Sequence, residues 1–221
     1  MKKYIFIVLA VMSLMTSCGY DSNDADAEGE PEIYFVHALE YDSVRAFEEG
    51  IRERSADTEI MKNNNVFSSR KYYYPNKGIR GAELRNIVVT KEEIGIHFTV
   101  SNDIMRSKSN EKNVGDNYED FVLQADREHS LRASYLVTQT ENPQERISFR
   151  IERLWDKKFQ EIRHNDVQYY FTEIWSSDGT LIKYDFMYIL DNQHVAYISM
   201  PAMMKFEELL AYVELTRHQV K

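Results

Sequence analysis

Residues 167–200 decide the fold of this chain and read VQYYFTEIWSSDGTLIKYDFMYILDNQHVAYISM. Apolar and aromatic residues dominate this stretch, and two groups of turn residues divide it, Ser-Asp-Gly at 177–179 and Asp-Asn-Gln at 191–193. Asp178 followed by Gly179 favours a tight hairpin turn, because both residue types tolerate positive φ. The stretch therefore predicts three consecutive antiparallel strands, at residues 167–175, 180–190 and 194–200.

A helix is predicted immediately before these strands. Asn142 can cap it, Pro143 suits its first position, and Glu145 can return a hydrogen bond to the cap. The apolar residues that follow recur at helical spacing and predict one helix from residue 142 to about residue 165. They are Ile147, Ile151, Leu154, Trp155, Phe159 and Ile162.

The rest of the chain alternates between strand and helix signals. Alternating apolar residues predict a hairpin within residues 86–100 and short strands at 121–125 and 133–138. Helical spacing predicts a first amphipathic helix near residues 42–55 and a final one from Phe206 to about Leu215. Residues 62–85 show turn residues but no clear period. We expect an α+β fold, an antiparallel sheet flanked by helices, with an N-terminal helix and irregular segment at 32–85 and the α+β domain at 86–221.

The order of these elements resembles the PsbP-like or Mog-like α/β/α sandwich. The residues that carry the resemblance are GIHFTV at 95–100, VQYYFT at 167–172, DG at 178–179, YDFMY at 184–188, HVAYIS at 194–199 and FEELL at 206–210. Together they cover residues 86–217. The resemblance implies a sandwich fold, and bacterial members of this group are often lipid-anchored envelope proteins without known catalysis. A fold by itself does not determine a function.

The N-terminus has the pattern of an export signal. Lys2 and Lys3 precede a nearly continuous apolar run at residues 4–15, which is too short to span a bilayer comfortably. The sequence LMTSC at 14–18 then resembles the lipobox of bacterial lipoproteins. This resemblance implies that residues 1–17 are a lipoprotein signal peptide and that Cys18, the first mature residue, carries the lipid that anchors the protein to the membrane. The alternative is an ordinary signal peptide followed by an unmodified cysteine.

Residues 18–31 are acidic and almost free of apolar side chains, which predicts a flexible tether. Their spacing of carboxylates hints at a calcium loop, but Phe35 stands where an EF-hand requires a bidentate Glu. We therefore expect no metal site there. Acidic residues just after a lipid-bearing cysteine also resemble a surface-export signal of some Gram-negative bacteria. The expected location is the bacterial cell envelope, in the outer membrane, on its periplasmic side or at the cell surface.

Composition excludes several classes of function. The 221 residues include 27 Lys and Arg against 36 Asp and Glu, a net charge of -9, and nucleic-acid binding needs the opposite balance. Removal of residues 1–17 takes away two lysines and no acidic residue, so the charge becomes -11. Because Cys18 is the single cysteine of the sequence, no intramolecular disulfide, zinc–thiolate or iron–sulfur site can form.

No pattern of catalytic residues emerges from the sequence. It contains no Gly-x-Ser-x-Gly and no glycine-rich phosphate loop, and its six histidines are scattered. We expect no catalytic residues, no cofactor and no metal, and a protein that is not an enzyme. The remaining enzymatic alternative is a hydrolase whose site would require His97, His194 and a carboxylate to converge.

The best candidate for ligand binding is the aromatic run Tyr72, Tyr73 and Tyr74, which follows Arg70 and Lys71 in a polar stretch. Tyrosine offers a large contact area together with a polar group, so an exposed run would suit a glycan or a protein. The alternative is that the run is a strand that pairs with the edge of the sheet.

From these observations we expect a non-enzymatic binding or accessory module that is held at the membrane by its lipid and acts on a protein partner in the envelope. The second hypothesis is a surface-displayed receptor for a glycan or a host protein, with Tyr72–Tyr74 as its binding surface.

Overall fold

The structure is a computed structural model. It describes residues 38–53, 59–79, 81–100, 132–153, 158–175, 179, 181–202 and 206–221. The predicted signal peptide, Cys18, the predicted tether and the predicted strand at 121–125 lie outside these residues.

An antiparallel sheet of eight strands forms the centre of the described part of the chain. Its strand order is β1-β3-β4-β5-β9-β8-β7-β6. A second sheet contains two strands, β2 and β10. The strands are β1 (Leu39–Tyr41), β2 (Lys71–Pro75), β3 (Ala82–Val89), β4 (Glu93–Val100), β5 (Arg132–Gln139), β6 (Gln160–His164), β7 (Val167–Trp175), β8 (Leu181–Asp191), β9 (His194–Pro201) and β10 (Leu215–Gln219).

The three strands predicted from residues 167–200 are confirmed. β7 pairs with β8, and β8 pairs with β9, both antiparallel. Gly179 has φ of 83°, the left-handed conformation that the Asp-Gly signal predicts. The predicted hairpin is also confirmed as β3 and β4, and the predicted strand at 133–138 is β5.

Five helices lie in the described residues. They are α1 (Val44–Glu53), α2 (Glu59–Asn63), α3 (Asn65–Ser69), α4 (Pro143–Arg153) and α5 (Phe206–Val213). The first predicted amphipathic helix is confirmed as α1, which buries Phe47 and Ile51 completely. The coarse expectation of an α+β fold built on an antiparallel sheet is therefore confirmed.

Helices pack on both faces of the large sheet. One face carries the larger apolar core, to which α1, α3 and α5 contribute Phe47, Phe67 and Leu209. We call it the large-core face. The opposite face, the α4 face, carries a smaller core in which Ile147 of α4 packs with Val195 and other residues of the sheet. The alternation of side chains along each strand separates the two sets.

The predicted helix at 142–165 is too long. Its capping prediction is confirmed, because Glu145 N–H donates to Asn142 Oδ1 at 3.2 Å. However, α4 ends at Arg153, and Ile162 lies on β6 rather than on the helix. Asn165 and Asp166, with φ of 48° and 61°, form the turn between β6 and β7. Two successive residues with positive φ suit a tight hairpin, so the chain reverses direction after β6 and β7 pairs with it antiparallel.

The expected helical end of the chain is wrong in part. α5 ends at Val213, and Leu215 begins the strand β10. This strand pairs antiparallel with β2, so that Arg217 lies opposite Tyr73. Residues 62–85, which show no period in the sequence, contain α3, β2 and the first residues of β3. The strand β10 thus pairs with a strand from the N-terminal part of the described residues.

Candidate functional site

The aromatic run Tyr72–Tyr74 lies on β2. The side chains of Tyr72 and Tyr73 are 4% and 9% exposed, and Tyr74 is half-buried. The expected exposed surface is therefore not present at Tyr72 and Tyr73. The alternative of a strand is correct, but the partner of this strand is β10 and not the edge of the large sheet. Ligand binding by the run stays a prediction.

Tyr72 and Tyr74 point to the same side of β2, since alternate residues of a strand share a face. The Tyr72 ring stacks on His218 at 5.4 Å between centroids and meets the edge of Phe47 at 5.1 Å. Tyr74 meets Phe98 edge to face at 6.3 Å. These contacts join β2 to α1, β4 and β10 through aromatic packing.

Tyr73 points to the other side of β2 and enters a polar cluster. Its hydroxyl donates to Asp191 Oδ2 at 2.6 Å. The other oxygen of Asp191 lies 2.8 Å from His194 Nδ1, and His194 Nε2 lies 3.1 Å from Asn65 Nδ2. We call Tyr73, Asp191, His194 and Asn65 the Asp191 cluster. It connects β2, the β8–β9 turn and α3.

Local sequence fixes the two ends of the Asp191 cluster. At the β8–β9 turn, the Gln193 N–H donates to Asp191 Oδ1 at 2.8 Å, the side-chain-to-backbone bond typical of Asp in turns. At α3, the preceding residue Asn64 caps the helix by accepting from Val66 N–H at 3.1 Å. The cap sets the position of Asn65, and the turn sets that of Asp191.

The electrostatics of the cluster favour a charged carboxylate. Burial acts to raise the pKa of Asp191, but hydrogen bonds from Tyr73, from Gln193 N–H and from His194 lower the pKa below its usual value. Burial, together with the hydrogen bond to Asp191, raises the pKa of Tyr73 far above its usual value. The contacts of His194 suit a proton on Nδ1, because Asp191 accepts there and Asn65 Nδ2 can only donate to Nε2.

The space beside the cluster is small. A cavity of about 20 Å³ lies between Asn65, Tyr73 and His194, with Lys71 and Arg217 also lining it. That volume holds about one water molecule. A histidine oriented by an aspartate is the base of many hydrolases. Here Nε2 of the histidine contacts an asparagine, and the adjoining cavity has no room for a larger molecule, so the arrangement fits a cross-link between segments.

The structure does not bring His97 and His194 together. His97 lies on the α4 face, because its neighbours Ile94 and Ile96 belong to the large core. His194 points to the large-core face and contacts Tyr73 at 5.6 Å between ring centroids. Burial, followed by the charges of nearby arginines, lowers the pKa of His97. The convergence that a hydrolase site would need is absent at this pair.

No family model, curated protein or solved structure matches the chain. Within the described ranges, no group of three His, Cys, Asp or Glu side chains could hold a metal ion. No helix among those residues has the length and apolar character needed to cross a membrane.

Sequence reasoning did not find the Asp191 cluster. From the sequence, His194 is only a strand histidine and Asp191 only a turn residue. The usable signal was the spacing Asp-x-x-His at 191–194 across a turn, which places both side chains near each other. Tyr73 and Asn65 are separated from them by more than 100 residues along the chain.

Proposed function

We propose that this protein is a bacterial envelope lipoprotein whose folded domain acts as a non-enzymatic binding or accessory module. The observation that carries the proposal is the sequence LMTSC at 14–18, placed directly after a positively charged segment and an apolar run. A single acyl chain binds a membrane only reversibly, so stable attachment needs the two or three chains that lipoproteins carry on this cysteine.

The segment after Cys18 supports a role at a distance from the membrane. Residues 18–31 contain five carboxylates and no basic residue. Charge of this sign is repelled by anionic lipid headgroups. A lipid at Cys18 would hold the chain at the bilayer while the acidic segment and the acidic domain keep away from its surface. Such a domain is placed to meet a protein partner in the envelope.

We further propose that the domain belongs to the PsbP-like or Mog-like α/β/α sandwiches. Two features support this. Helices cover both faces of the antiparallel sheet, and α4 precedes the consecutive strands β6, β7, β8 and β9, which α5 follows. The receptor hypothesis for a glycan or host protein has weaker support, because the Tyr72 and Tyr73 rings to which it assigns binding are buried.

Labelling of cells with radioactive palmitate tests the anchor. The wild-type protein should incorporate label and remain with the membrane fraction, whereas Cys18→Ala should do neither. Ser17→Ala is the matched control, because it keeps a small residue before the cysteine and should label like the wild type. Label on Cys18→Ala, or an unlabelled wild-type protein in the medium, would reject the anchor.

Crosslinking in intact cells tests the binding role. The wild-type protein should form a discrete crosslinked product with an envelope protein, and protease treatment of intact cells shows on which side of the outer membrane it lies. Cys18→Ala, detached from the membrane, should lose that product. Recovery of the protein with no crosslinked partner under conditions that crosslink other envelope proteins would contradict the role.

A further inference from the structure

One face of α4 borders an open groove. Asn142, Glu145, Arg146 and Phe149 recur at helical spacing and therefore lie on the same side of the helix. They form one wall of a groove of about 740 Å³, and residues around the β3–β4 and β8–β9 turns, including Glu92 and Gln193, border the remainder. The volume is within the range of ligand-binding sites.

The groove contains an aromatic ring that the sheet does not cover. The opposite side of α4 holds Ile147, which is 1% exposed, against the small core. Phe149 points away from that core and is 54% exposed. It is one of three large apolar side chains that are strongly exposed in the described residues. An aromatic ring on the wall of a concave surface is typical of a contact for a partner.

The charge of the groove selects the partner. Three carboxylates, those of Glu92, Glu141 and Glu145, line it together with one guanidinium, that of Arg146. Glu145 is held in place because its Oε2 accepts from Asn142 Nδ2 at 3.0 Å. Carboxylates next to an aromatic face match a guanidinium or ammonium group, which pairs with the former and lies over the latter. A second copy of this acidic chain would be repelled.

We propose that this groove, which we call the α4 groove, binds a basic segment of a partner protein that presents Arg or Lys beside an apolar residue. The carboxylates pair with the basic side chains, and the Phe149 ring contacts the apolar residue and the flat face of a guanidinium. This proposal names a class of partner for the binding module of the proposed function, and it rests on that function.

Fluorescence anisotropy with a defined peptide tests the proposal. The full-length protein, in nonionic detergent micelles, is titrated against a fluorescein-labelled peptide of alternating arginine and leucine. A peptide with glutamate in place of arginine is the control ligand. Because any acidic protein attracts a basic peptide, the variants must separate the groove from net charge.

Two triple variants each replace three glutamates by glutamine, so both remove the same negative charge from the protein. The first is Glu92→Gln, Glu141→Gln and Glu145→Gln in the groove, where a glutamine in the third helical position would preserve the capping pattern. The second is made at exposed positions on α1, β3 and β6, namely Glu53→Gln, Glu83→Gln and Glu161→Gln. A third variant is Phe149→Ala.

We expect the groove triple to weaken binding by about eightfold or more, since three exposed ion pairs contribute about twofold or more each. The control triple should change binding by less than about twofold, and Phe149→Ala should weaken it by about threefold. Equal weakening by both triples, no binding by the wild type, or an unchanged affinity in Phe149→Ala would each overturn the inference. None of these results alters lipid labelling at Cys18, so the anchor and the groove are tested separately.

Discussion

Substitution of Tyr73 by Phe tests the Asp191 cluster directly. The change keeps the buried ring and removes only the hydroxyl that donates to Asp191 Oδ2 at 2.6 Å. A hydrogen bond to a charged group contributes about 1.5–3 kcal/mol to the free energy of unfolding. Because the Asp191 side chain is 23% exposed, water can replace part of this interaction. We therefore expect Tyr73→Phe to lower the free energy of unfolding by about 1.5–2 kcal/mol.

Urea unfolding followed by circular dichroism measures this loss. With a denaturant dependence of about 2 kcal/mol per molar urea, the midpoint should fall by about 1 M or slightly less. Tyr74→Phe is the matched control on the same strand, because the Tyr74 hydroxyl has no hydrogen-bond partner within the described residues. It should shift the midpoint by less than about 0.3 M, the effect of a change of about 0.5 kcal/mol.

The pH dependence gives a second check on the same reasoning. The pKa of Asp191 is lowered in the folded state, so the stability from its charge is present above the unfolded pKa of about 4. That stability is lost as the pH falls through the lower folded pKa. The difference between wild type and Tyr73→Phe should therefore shrink progressively as the pH falls below the unfolded pKa of about 4. A midpoint for Tyr73→Phe equal to that of wild type at pH 7, or to that of Tyr74→Phe, would refute the role of the cluster.

Three further predictions concern other parts of the fold. Tyr188→Phe should lower the free energy of unfolding in urea by about 2–4 kcal/mol, because the buried Tyr188 hydroxyl donates to Val213 O at 2.8 Å and accepts from Leu215 N–H at 3.1 Å. A decrease below about 1 kcal/mol would contradict those hydrogen bonds. Truncation after Glu214 should cost at least about 3 kcal/mol in the same assay, since it removes the pairing of β10 with β2 and the buried side chains of Leu215 and Val220. An unchanged midpoint would contradict a stabilising role of β10. His97→Gln should reduce the loss of stability between pH 7 and 5. Burial lowers the folded pKa of His97, so below the unfolded pKa of about 6.5 the unfolded state binds a proton more readily and the free energy of unfolding falls. An identical pH profile for the wild type and the variant would argue against burial of this histidine.

The sheet was predictable wherever alternation and turn chemistry agreed. Residues 167–200 combine long alternating runs with Asp178–Gly179, and the three strands form as expected. The error after Arg153 has a physical cause. Phe159 and Ile162 fit a helical stripe as well as a strand, since a short apolar pair satisfies both periods. Asn165 and Asp166 carried the missing signal, because both residue types tolerate the positive φ of a tight hairpin.

The candidate site could not be predicted in the same way, because its contacts are not local. Tyr72–Tyr74 has the composition of a strand, but its burial depends on pairing with β10 more than 140 residues later. The sequence does not show which segment supplies that cover. The hydrogen bond from Tyr73 to Asp191 likewise joins segments that only the packed fold brings together. By contrast, the groove beside α4 contains the capping residues Asn142 and Glu145, which the sequence did identify.

The mass of the intact mature protein, extracted from membranes, tests the lipid anchor most directly. We predict a chain that begins at Cys18 and carries the added mass of two or three acyl chains on that residue. A chain that begins elsewhere, or one that begins at Cys18 with a free thiol and a free amino group, would contradict the account.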